Sequence, residues 1–380
     1  MNMRFAFVLF KYFPFGGLQR DFSRIAEALI DLGHEVDAYC IIWDGPLPKN
    51  INVHIAPIKA FSNHQRNARF ATWLKKTFQE QHYDAVVGFN KISGLDVYYA
   101  ADPCYQDKAL TLRHPLYRLG SRYKQFYQQE KSVFSIKSNT EILMISEVQK
   151  PLFQQHYRTP EARFHLLPPG ISEDRKAPKN AQEIRSEFRK EWDIKDNQQL
   201  MLMVGSGFKT KGLDRALLAL ASLPEKQKSS TRFIVIGQDN PKTFLTQAKS
   251  LGIENNVTIL KGRNDIPDFL LGADLLIHPA YNENTGTILL EAVVAGLPVL
   301  VTKVCGYAHY INKANAGAVL DAPFSQPALN NALAQMLSTN KTQWQQNALS
   351  FAAEADIYSM PKRAAQIIEA TALKKQEAHS

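Results

Sequence analysis

Two glutamates eight residues apart, Glu283 and Glu291, are the carboxylates in this chain best suited to hold a ligand. They belong to the stretch His-Pro-Ala-Tyr-Asn-Glu-Asn-Thr-Gly, which starts at His278 and continues through Leu-Glu-Ala to Gly-Leu-Pro. The apolar run before it predicts a strand, and the segment from Gly286 to Gly296 predicts a helix. Eight residues make a little over two helical turns, so both carboxylates can line one crevice.

The predicted start of this helix favours an anionic or hydroxylated ligand. Free N–H groups at a helix N-terminus attract phosphate or sugar oxygens, and Gly286 lets a ligand approach the backbone. Asn284 and Thr285, just before it, are further binding candidates. Two glutamates at this spacing also occur on many solvated helix faces, and the spacing alone favours that interpretation. The surrounding residues change the balance.

Lys211 is the second candidate for chemistry. It follows the turn Gly205-Ser206-Gly207 at the end of a predicted strand and precedes a predicted helix. An ammonium group there is a point charge well placed to meet a diphosphate, although a solvated loop lysine explains the pattern equally well.

The N-terminal Gly16-Gly17 pair lies between a predicted strand and a predicted helix, the order found in phosphate-binding loops. An ordinary βα turn explains this pair better unless other information supports a site. Asp21 opens the helix that follows. It either faces a substrate or favours the helix dipole from the first turn, and the two interpretations are balanced.

Strand and helix patterns alternate along the chain and predict an α/β fold with two Rossmann-like, doubly wound sheets. The predicted strands are 4–10, 34–41, 52–57, 85–89, 96–100 and 141–145, then 200–204, 232–236, 257–260, 274–277 and 299–302. The main predicted helices are 19–32, 213–221, 242–251, 266–271 and 287–295. A Pro-Pro-Gly turn marks the boundary between a first domain, 1–167 completed by a C-terminal helix at 357–380, and a second domain, 168–356.

Composition is that of a folded protein, with 45% hydrophobic and 21% charged residues among 380. The three cysteines lack metal-ligand or C-x-x-C spacing, which indicates reduced thiols in the cytosol. No run reaches the roughly 18 apolar residues of a membrane span, and the first apolar run is too short for a secretory signal. The formal charge of +9 suggests an anionic partner: nucleic acid, a phosphosugar or a membrane surface.

Residues 113–137 predict a basic amphipathic helix. Its apolar residues recur at helical spacing, and Glu130 is its only acidic residue. The basic residues on or beside the opposite face are Arg118, Arg122, Lys124 and Lys131. Such a helix suits the interface of an anionic bilayer, and a core-packed helix with a solvated basic side is an equal alternative. Nucleic acid is a weaker choice because no recognised nucleic-acid motif accompanies the charge.

The stretch around the two glutamates resembles the E-x7-E signature of retaining glycosyltransferases of family 4. The match covers the His-Pro before Glu283, the glycine three residues after it, Leu-Glu-Ala around Glu291 and the closing Gly-Leu-Pro-Val. Residues 11–21 and the run Cys-Gly-Tyr-Ala-His-Tyr at 305–310 resemble the lipopolysaccharide core glucosyltransferases of that family. This resemblance extends over essentially the whole chain.

The resemblance implies a GT-B fold, in which two Rossmann-like domains face each other across a cleft. It implies transfer of glucose from UDP-glucose, with retention, onto a heptose of the lipopolysaccharide inner core, without a metal or other cofactor. The first domain would serve the acceptor and the membrane, and the second would bind the donor. The enzyme would be cytoplasmic, peripherally associated with the anionic inner membrane, and would bind no nucleic acid.

The resemblance also assigns roles to residues. Glu291 would bind the ribose, Glu283 the donor sugar, and Lys211 would act as electrostatic catalyst while the leaving phosphate oxygen takes the acceptor's proton. Asp21 would face the acceptor side, and Gly16 and Gly17 the donor phosphates.

Two departures from the family pattern affect the predicted site. Ser206 stands where the family usually has an arginine, so Arg175, and after it Lys209, are candidates for the second phosphate contact. Asp102 stands where many members have a histidine on the donor sugar.

By the same resemblance, the loop containing Arg263 and Asp265 would contact the uracil through its backbone, and an exposed surface position for Arg263 is an equal alternative. Two alternative hypotheses for the function of the chain are a non-catalytic sugar-nucleotide or membrane-binding protein with a relict site, and a transferase that uses another UDP-sugar. A dinucleotide oxidoreductase is disfavoured because neither glycine loop has the G-x-G-x-x-G spacing.

Overall fold

The structure, a computed structural model, describes residues 2–14 and 16–378. The chain forms two compact units: the first runs to Gly170 and resumes at Ser359, and the second is Ile171–Tyr358. These bounds lie within three residues of the predicted ones. Phe15 of the predicted N-terminal glycine loop lies outside the described residues, as do the last two residues of the predicted C-terminal helix.

The first unit is built on a parallel sheet. Its strands are β1 (Arg4–Val8), β2 (Lys11–Tyr12), β3 (Glu35–Cys40), β4 (Ile42–Trp43), β5 (Asn52–Ile55), β6 (Ala85–Gly88), β7 (Val97–Ala100), β8 (Glu141–Met144) and β9 (Phe164–Leu166). Seven of them pair in the order β5-β3-β1-β6-β7-β8-β9, and β2 pairs with β4 separately. β6 and β7 are buried along their whole length, as expected for strands covered on both faces.

Five helices connect these strands: α1 (Gly17–Asp31), α2 (Asn63–Glu80), α3 (Tyr105–Thr111), α4 (Ser121–Phe134) and α5 (Lys150–Tyr157). α1 buries Phe22, Ile25, Ala26 and Leu29, a spacing that puts one apolar stripe against the sheet. The chain therefore covers its first sheet with amphipathic helices, as the alternating pattern predicts.

The second unit has a six-stranded parallel sheet. Its strands are β10 (Gln199–Val204), β11 (Thr231–Ile236), β12 (Val257–Leu260), β13 (Leu275–His278), β14 (Val299–Thr302) and β15 (Gly317–Leu320). The order is β12-β11-β10-β13-β14-β15. The strand order reverses between β10 and β13, and ligands of open α/β sheets bind outside the carboxyl ends of strands at such a point.

Helices of the second unit are α6 (Ala181–Glu191), α7 (Leu213–Ala221), α8 (Glu225–Ser229), α9 (Lys242–Ser250), α10 (Ile266–Gly272), α11 (Thr287–Val294), α12 (Ala308–Ala314), α13 (Gln326–Ser338) and α14 (Thr342–Glu354). The last helix, α15 (Met360–Glu377), belongs to the first unit. It buries Met360, Ala364, Ala365, Ile368 and Ala372 in the same core as α1.

The fold prediction is confirmed, and the predicted strands and helices end within two residues of the observed ones, except for the C-terminal helix, which begins three residues later than predicted and ends at Glu377, and the segment 113–137. Three short strands were missed: β2 and β4 have two residues each, and β15 reads Gly-Ala-Val-Leu and is only half-buried. Such runs are too short or too weakly apolar to stand out from loops.

The single amphipathic helix predicted over residues 113–137 is wrong. Gly120, in extended conformation, separates a 3-10 turn, Pro115–Leu119, from α4. Glycine has low helix propensity, and here it ends one element and caps the next. The two parts are buried differently: Val133 and Phe134 at the end of α4 are fully buried, whereas Leu116 and Leu119 are 66% and 71% exposed.

Candidate active site

Three loops of the second unit are tied together at the carboxyl ends of β10, β13 and β14. The Tyr281 backbone N–H donates to the Thr210 carbonyl at 2.8 Å, joining the first two loops. Glu283 forms an isolated parallel bridge with Cys305, and the Gly306 N–H donates to the Glu283 carbonyl at 3.1 Å. The loop that carries Glu283 is therefore held from both sides, at Tyr281 by the loop after β10 and at Glu283 by the loop after β14.

Two glycines with positive φ make this arrangement possible. Gly212 has φ +81°, and a Cβ atom on it would lie 2.0 Å from the Pro279 carbonyl oxygen. Gly286 has φ +88° and caps α11. Only glycine takes this conformation without strain, so these positions let the loops approach each other, and no described side chain caps the first N–H groups of α11.

The side chains of Lys211 and Glu283 form an ion pair at this junction. Both are mostly buried, at 22% and 12% exposed. The Nε2 atom of His278, the last residue of β13, lies 3.4 Å from Glu283 Oε2. The sequence singled out Lys211 and Glu283 separately, and the fold brings them into contact across 72 residues of chain.

Burial controls the charge states around this pair. It lowers the pKa of His278 to about 3, assisted by the Lys211 ammonium, so this imidazole is neutral at neutral pH. It also raises the pKa of the Cys305 thiol to about 12, which keeps the thiol protonated. Burial lowers the pKa of Lys211 as well, so the ammonium needs a negative partner, and Glu283 supplies one.

Arg215 on α7 is a residue of this site that the sequence did not indicate. Its Nη1 atom donates to the carbonyl oxygens of Pro279 at 3.1 Å and Ala280 at 3.0 Å. The guanidinium lies 3.5 Å from the ring centroid of Tyr281 and 3.6 Å from that of Phe324. It thus clamps the loop that carries Glu283. Its place in the first turn of α7, directly after the loop that carries Lys211, was the available signal.

Glu291 lies within α11 and is only 6% exposed. This burial argues against a position on a solvated helix face, since a carboxylate there would be open to water. Asn284 and Thr285 lie in the loop before α11, where the Thr285 carbonyl accepts the Tyr307 N–H at 2.7 Å. The proposed sugar and ribose contacts of these residues stay predictions.

Ser206 fills the place of the expected arginine with a structural contact, because its Oγ accepts the Gln238 N–H at 3.1 Å. Of the two substitutes, Lys209 is 72% exposed and ion-paired with Asp214 at 2.6 Å. The other, Arg175, is 16% exposed; its Nε lies 3.9 Å from Asp174 Oδ2, and its Nε and Nη1 have no hydrogen-bond partner in the described part of the chain. Arg175 is thus better prepared than Lys209 to bind an anion.

Arg263 and Asp265 bind each other. Two hydrogen bonds, of 2.7 and 2.6 Å, join the guanidinium to the carboxylate in the loop between β12 and α10. The pairing lowers the pKa of Asp265 and raises that of Arg263. Both side chains are more than a third exposed. Because they are paired with each other, the backbone of the loop is the part available to a base.

In the first unit Gly16 caps α1 and Gly17 is its first residue. Asp21 is therefore the fifth helical residue, and the first turn of α1 contains no acidic residue. The interpretation of Asp21 as a first-turn, dipole-favouring residue is wrong. Its carboxylate instead accepts a 2.8 Å hydrogen bond from the Tyr99 hydroxyl on β7.

The predicted membrane residues are all exposed on α4 and the preceding turn: Arg118, Arg122, Lys124 and Lys131. Next to them the structure exposes a group of leucines that we call the leucine patch: Leu110, Leu112, Leu116 and Leu119, 41–71% exposed. Within residues 2–14 and 16–378 no helix combines the length and apolar character needed to cross a bilayer.

Glu130, which sequence reasoning placed on this basic helix without a role, is completely buried. It forms an ion pair with Lys91 and accepts hydrogen bonds from the backbone N–H groups of Tyr105 at 2.7 Å and Gln106 at 2.9 Å. The Tyr157 hydroxyl donates a further one at 2.6 Å. The carboxylate thus fixes the end of α4 to the start of α3, and these contacts lower its pKa.

Two family models match the chain. The model described as glycosyl transferases group 1 matches residues 184–351, and the model for glycosyltransferase family 4 matches residues 15–175. The lipopolysaccharide glucosyltransferase WaaG of Escherichia coli K12 is 47% identical over 96% of this chain and 98% of its own length.

Two solved structures also match this chain. The crystal structure of WaaG, described as a glycosyltransferase involved in lipopolysaccharide biosynthesis, matches 96% of this chain and 99% of its own with a TM-score of 0.92. Anabaena HepE, solved with UDP-glucose, shares the fold at a TM-score of 0.75 over 97% of this chain, with 19% identity.

Proposed function

Since the chain belongs to the glycosyltransferases of group 1 and family 4, we propose that it transfers glucose from UDP-glucose, with retention, onto a heptose of the lipopolysaccharide inner core. The observation that carries this proposal is the 47% identity to WaaG over nearly the full length of both chains. The ion pair between Lys211 and Glu283 supports it, because two mostly buried, oppositely charged groups stand ready at the carboxyl edge of the sheet.

The proposed mechanism uses this pair in two ways. When UDP-glucose binds, the Lys211 ammonium exchanges part of its contact with Glu283 for the departing diphosphate, whose negative charge grows in the transition state. The freed carboxylate oxygens accept hydrogen bonds from glucose hydroxyls. Neutral His278 beside Glu283 holds the carboxylate without adding charge.

Other residues would complete the donor site. Glu291 binds the ribose hydroxyls, the open N–H groups at the start of α11 bind phosphate, and Arg175 supplies the second cation. The acceptor hydroxyl attacks from the face that the diphosphate leaves, and the leaving phosphate oxygen takes its proton. In this mechanism neither glutamate acts as general base.

We also propose that the enzyme binds the anionic inner-membrane surface reversibly. Basic residues of α4 and the leucine patch support this, since cations near an anionic leaflet contribute about 1 kcal/mol each and exposed leucines can enter the interface. Together they allow a protein to reach a lipid-anchored acceptor.

Turnover on a defined acceptor tests the enzymatic proposal. The purified protein is incubated with UDP-glucose and a lipopolysaccharide core truncated at its inner heptoses, and the product is examined by NMR for an α-linked glucose. UDP-galactose and UDP-N-acetylglucosamine serve as donor controls. Binding of UDP-glucose without turnover would favour the relict site, and faster turnover with a control donor would reassign the sugar.

A further inference from the structure

A cavity of about 240 Å³ lies in the first unit, at the carboxyl ends of β1, β6 and β7. It is smaller than the roughly 300–1,000 Å³ pockets that hold drug-sized ligands, so it suits one sugar ring better than a nucleotide. Residues that follow the three strands line it, among them Phe10, Lys91 and Asp102. The buried side of α4 closes it with Phe126 and Gln129.

Gln129 is the feature that points to a ligand. The residue is only 5% exposed, and its Nε2 has no hydrogen-bond partner among the residues the structure describes. A buried amide donor without a partner costs free energy, so its presence at a cavity wall needs an explanation. A ligand oxygen would satisfy it once the amide turns toward the cavity, because Nε2 is sealed from solvent in its present orientation.

The remaining polar groups define the chemistry of that ligand. Asp102 and Lys108 are exposed to the cavity mouth, and neither forms an ion pair with another described residue. The Lys91 ammonium gives one hydrogen to Glu130 and one to the Pro103 carbonyl at 2.9 Å. An ammonium has three hydrogens, so one has no hydrogen-bond acceptor among these residues, and the Phe153 ring centroid lies 5.4 Å from the nitrogen.

Aromatic rings form the apolar walls of the cavity. The rings of Tyr105 and Phe126 lie 5.5 Å apart at the cavity, and Phe10 lines it as well. Aromatic surfaces with a few convergent polar groups are what small-molecule sites in proteins present. A carboxylate and an amide suit sugar hydroxyls, and the lysines suit an anionic substituent.

We propose that this cavity is an acceptor subsite. In it the hydroxyl groups of a sugar ring form hydrogen bonds with Gln129 and Asp102, and a phosphate on the sugar contacts Lys108. It rests on the proposed function and names the residues that recognise its acceptor. We assign the cavity to the acceptor and not to the donor glucose because Gln129 and Phe126 lie on α4. The outer face of that helix bears the basic residues next to the leucine patch, so the proposed membrane surface and the cavity share one helix.

Kinetics of Gln129→Leu test the proposal. With core oligosaccharide released from lipid as acceptor, KM for the acceptor should rise about three- to tenfold, the effect of losing one hydrogen bond, while KM for UDP-glucose stays the same. The thermal midpoint should not fall, because leucine removes a donor that has no partner among the described residues. A rise in KM for UDP-glucose instead would assign the cavity to the donor and overturn the proposal.

Gln149→Leu is the matched control. Gln149 is a buried glutamine of the same unit whose Oε1 accepts the Cys104 N–H at 2.9 Å. Its loss should lower the thermal midpoint, since it leaves that N–H without a partner. If both variants lose stability alike, Gln129 is a structural residue and the subsite is rejected.

Lys108→Gln tests the anionic part. It should raise KM several-fold for the phosphorylated oligosaccharide and leave KM for the phosphatase-treated one unchanged; an equal effect on both would reject the phosphate contact. Failure of the proposed function looks different, because the unaltered protein would then turn over neither acceptor. Active wild type with unchanged kinetics in Gln129→Leu would reject the subsite alone.

Discussion

Lys211 and Glu283 form an ion pair, although the two residues belong to different strand–helix units. The pair holds the cation expected to meet the diphosphate and the carboxylate expected to meet the sugar in mutual contact. Removing either partner therefore leaves the other without its neutralising charge. Because one partner is expected to meet the diphosphate and the other the sugar, the two substitutions should have different effects.

We expect Glu283→Ala to reduce kcat strongly while UDP affinity is kept or increased. The sugar loses its hydrogen-bond acceptor, whereas Lys211 becomes free for the diphosphate. Lys211→Ala should lower both kcat and UDP affinity. Calorimetric titration with UDP and turnover assays measure the two effects. Lys226→Ala is the control, since that lysine is exposed on α8 and is not a candidate for the donor site. Unchanged turnover in Glu283→Ala would end the assignment of Glu283 to the sugar.

For Glu291→Ala we expect UDP to bind more weakly by about 1–3 kcal/mol, the cost of losing a hydrogen bond to a charged acceptor. Glu291→Gln should recover part of the loss, because the amide keeps one acceptor oxygen in the buried site. Titration with UDP gives the values, and titration with uracil provides a comparison without ribose. Equal affinity of wild type and Glu291→Ala for UDP would contradict the ribose contact.

Arg215→Lys should slow turnover about tenfold or more with little change in KM for UDP-glucose. Lysine cannot reproduce the planar guanidinium that binds two carbonyl oxygens and stacks on Tyr281, so the loop carrying Glu283 loosens. The thermal midpoint should fall slightly. A variant with normal kcat and only reduced stability would show that Arg215 has no role in positioning Glu283.

Stability should depend on pH through His278. Its pKa is about 3 in the folded protein and near 6.5 when unfolded, so between these values the unfolded chain binds more protons. The contribution is complete above pH 6.5 and is lost as pH falls toward 3. In His278→Gln the free energy of unfolding should depend less steeply on pH in this window, by up to about 1.4 kcal/mol per unit. Denaturant unfolding at several pH values measures it, and parallel curves for both proteins would contradict the buried neutral imidazole.

Binding to anionic vesicles should be salt-sensitive and should fall when Arg118, Arg122, Lys124 and Lys131 are all changed to glutamine. Changing Leu112, Leu116 and Leu119 to serine should weaken it further and make the rest easier to remove with salt. Cosedimentation with anionic and neutral vesicles decides this.

A control for that experiment changes the same charge elsewhere: Lys195, Lys226, Lys249 and Lys313, four exposed lysines of the second unit, to glutamine. If this variant loses as much vesicle binding as the first, overall charge and not the α4 surface carries the interaction.

The alternation of apolar and polar residues determined most of the fold. Strand and helix positions follow from periods of two and 3.6 residues, and the motif around Glu283 and Glu291 indicated the family that the relatives confirm. Glycines such as Gly286 could be read from sequence because few other residues tolerate a positive φ. These properties are local, so a linear sequence displays them.

Only the tertiary structure decided which side chains meet and which are buried. Nothing near Lys211 in the sequence shows that it pairs with Glu283, and nothing near Glu130 shows that it lies fully buried against Lys91. The exposed leucines before α4 and the clamp made by Arg215 were likewise hidden. Burial and pairing depend on how distant segments pack, and one amphipathic pattern is compatible with a core, a membrane surface or a ligand cavity.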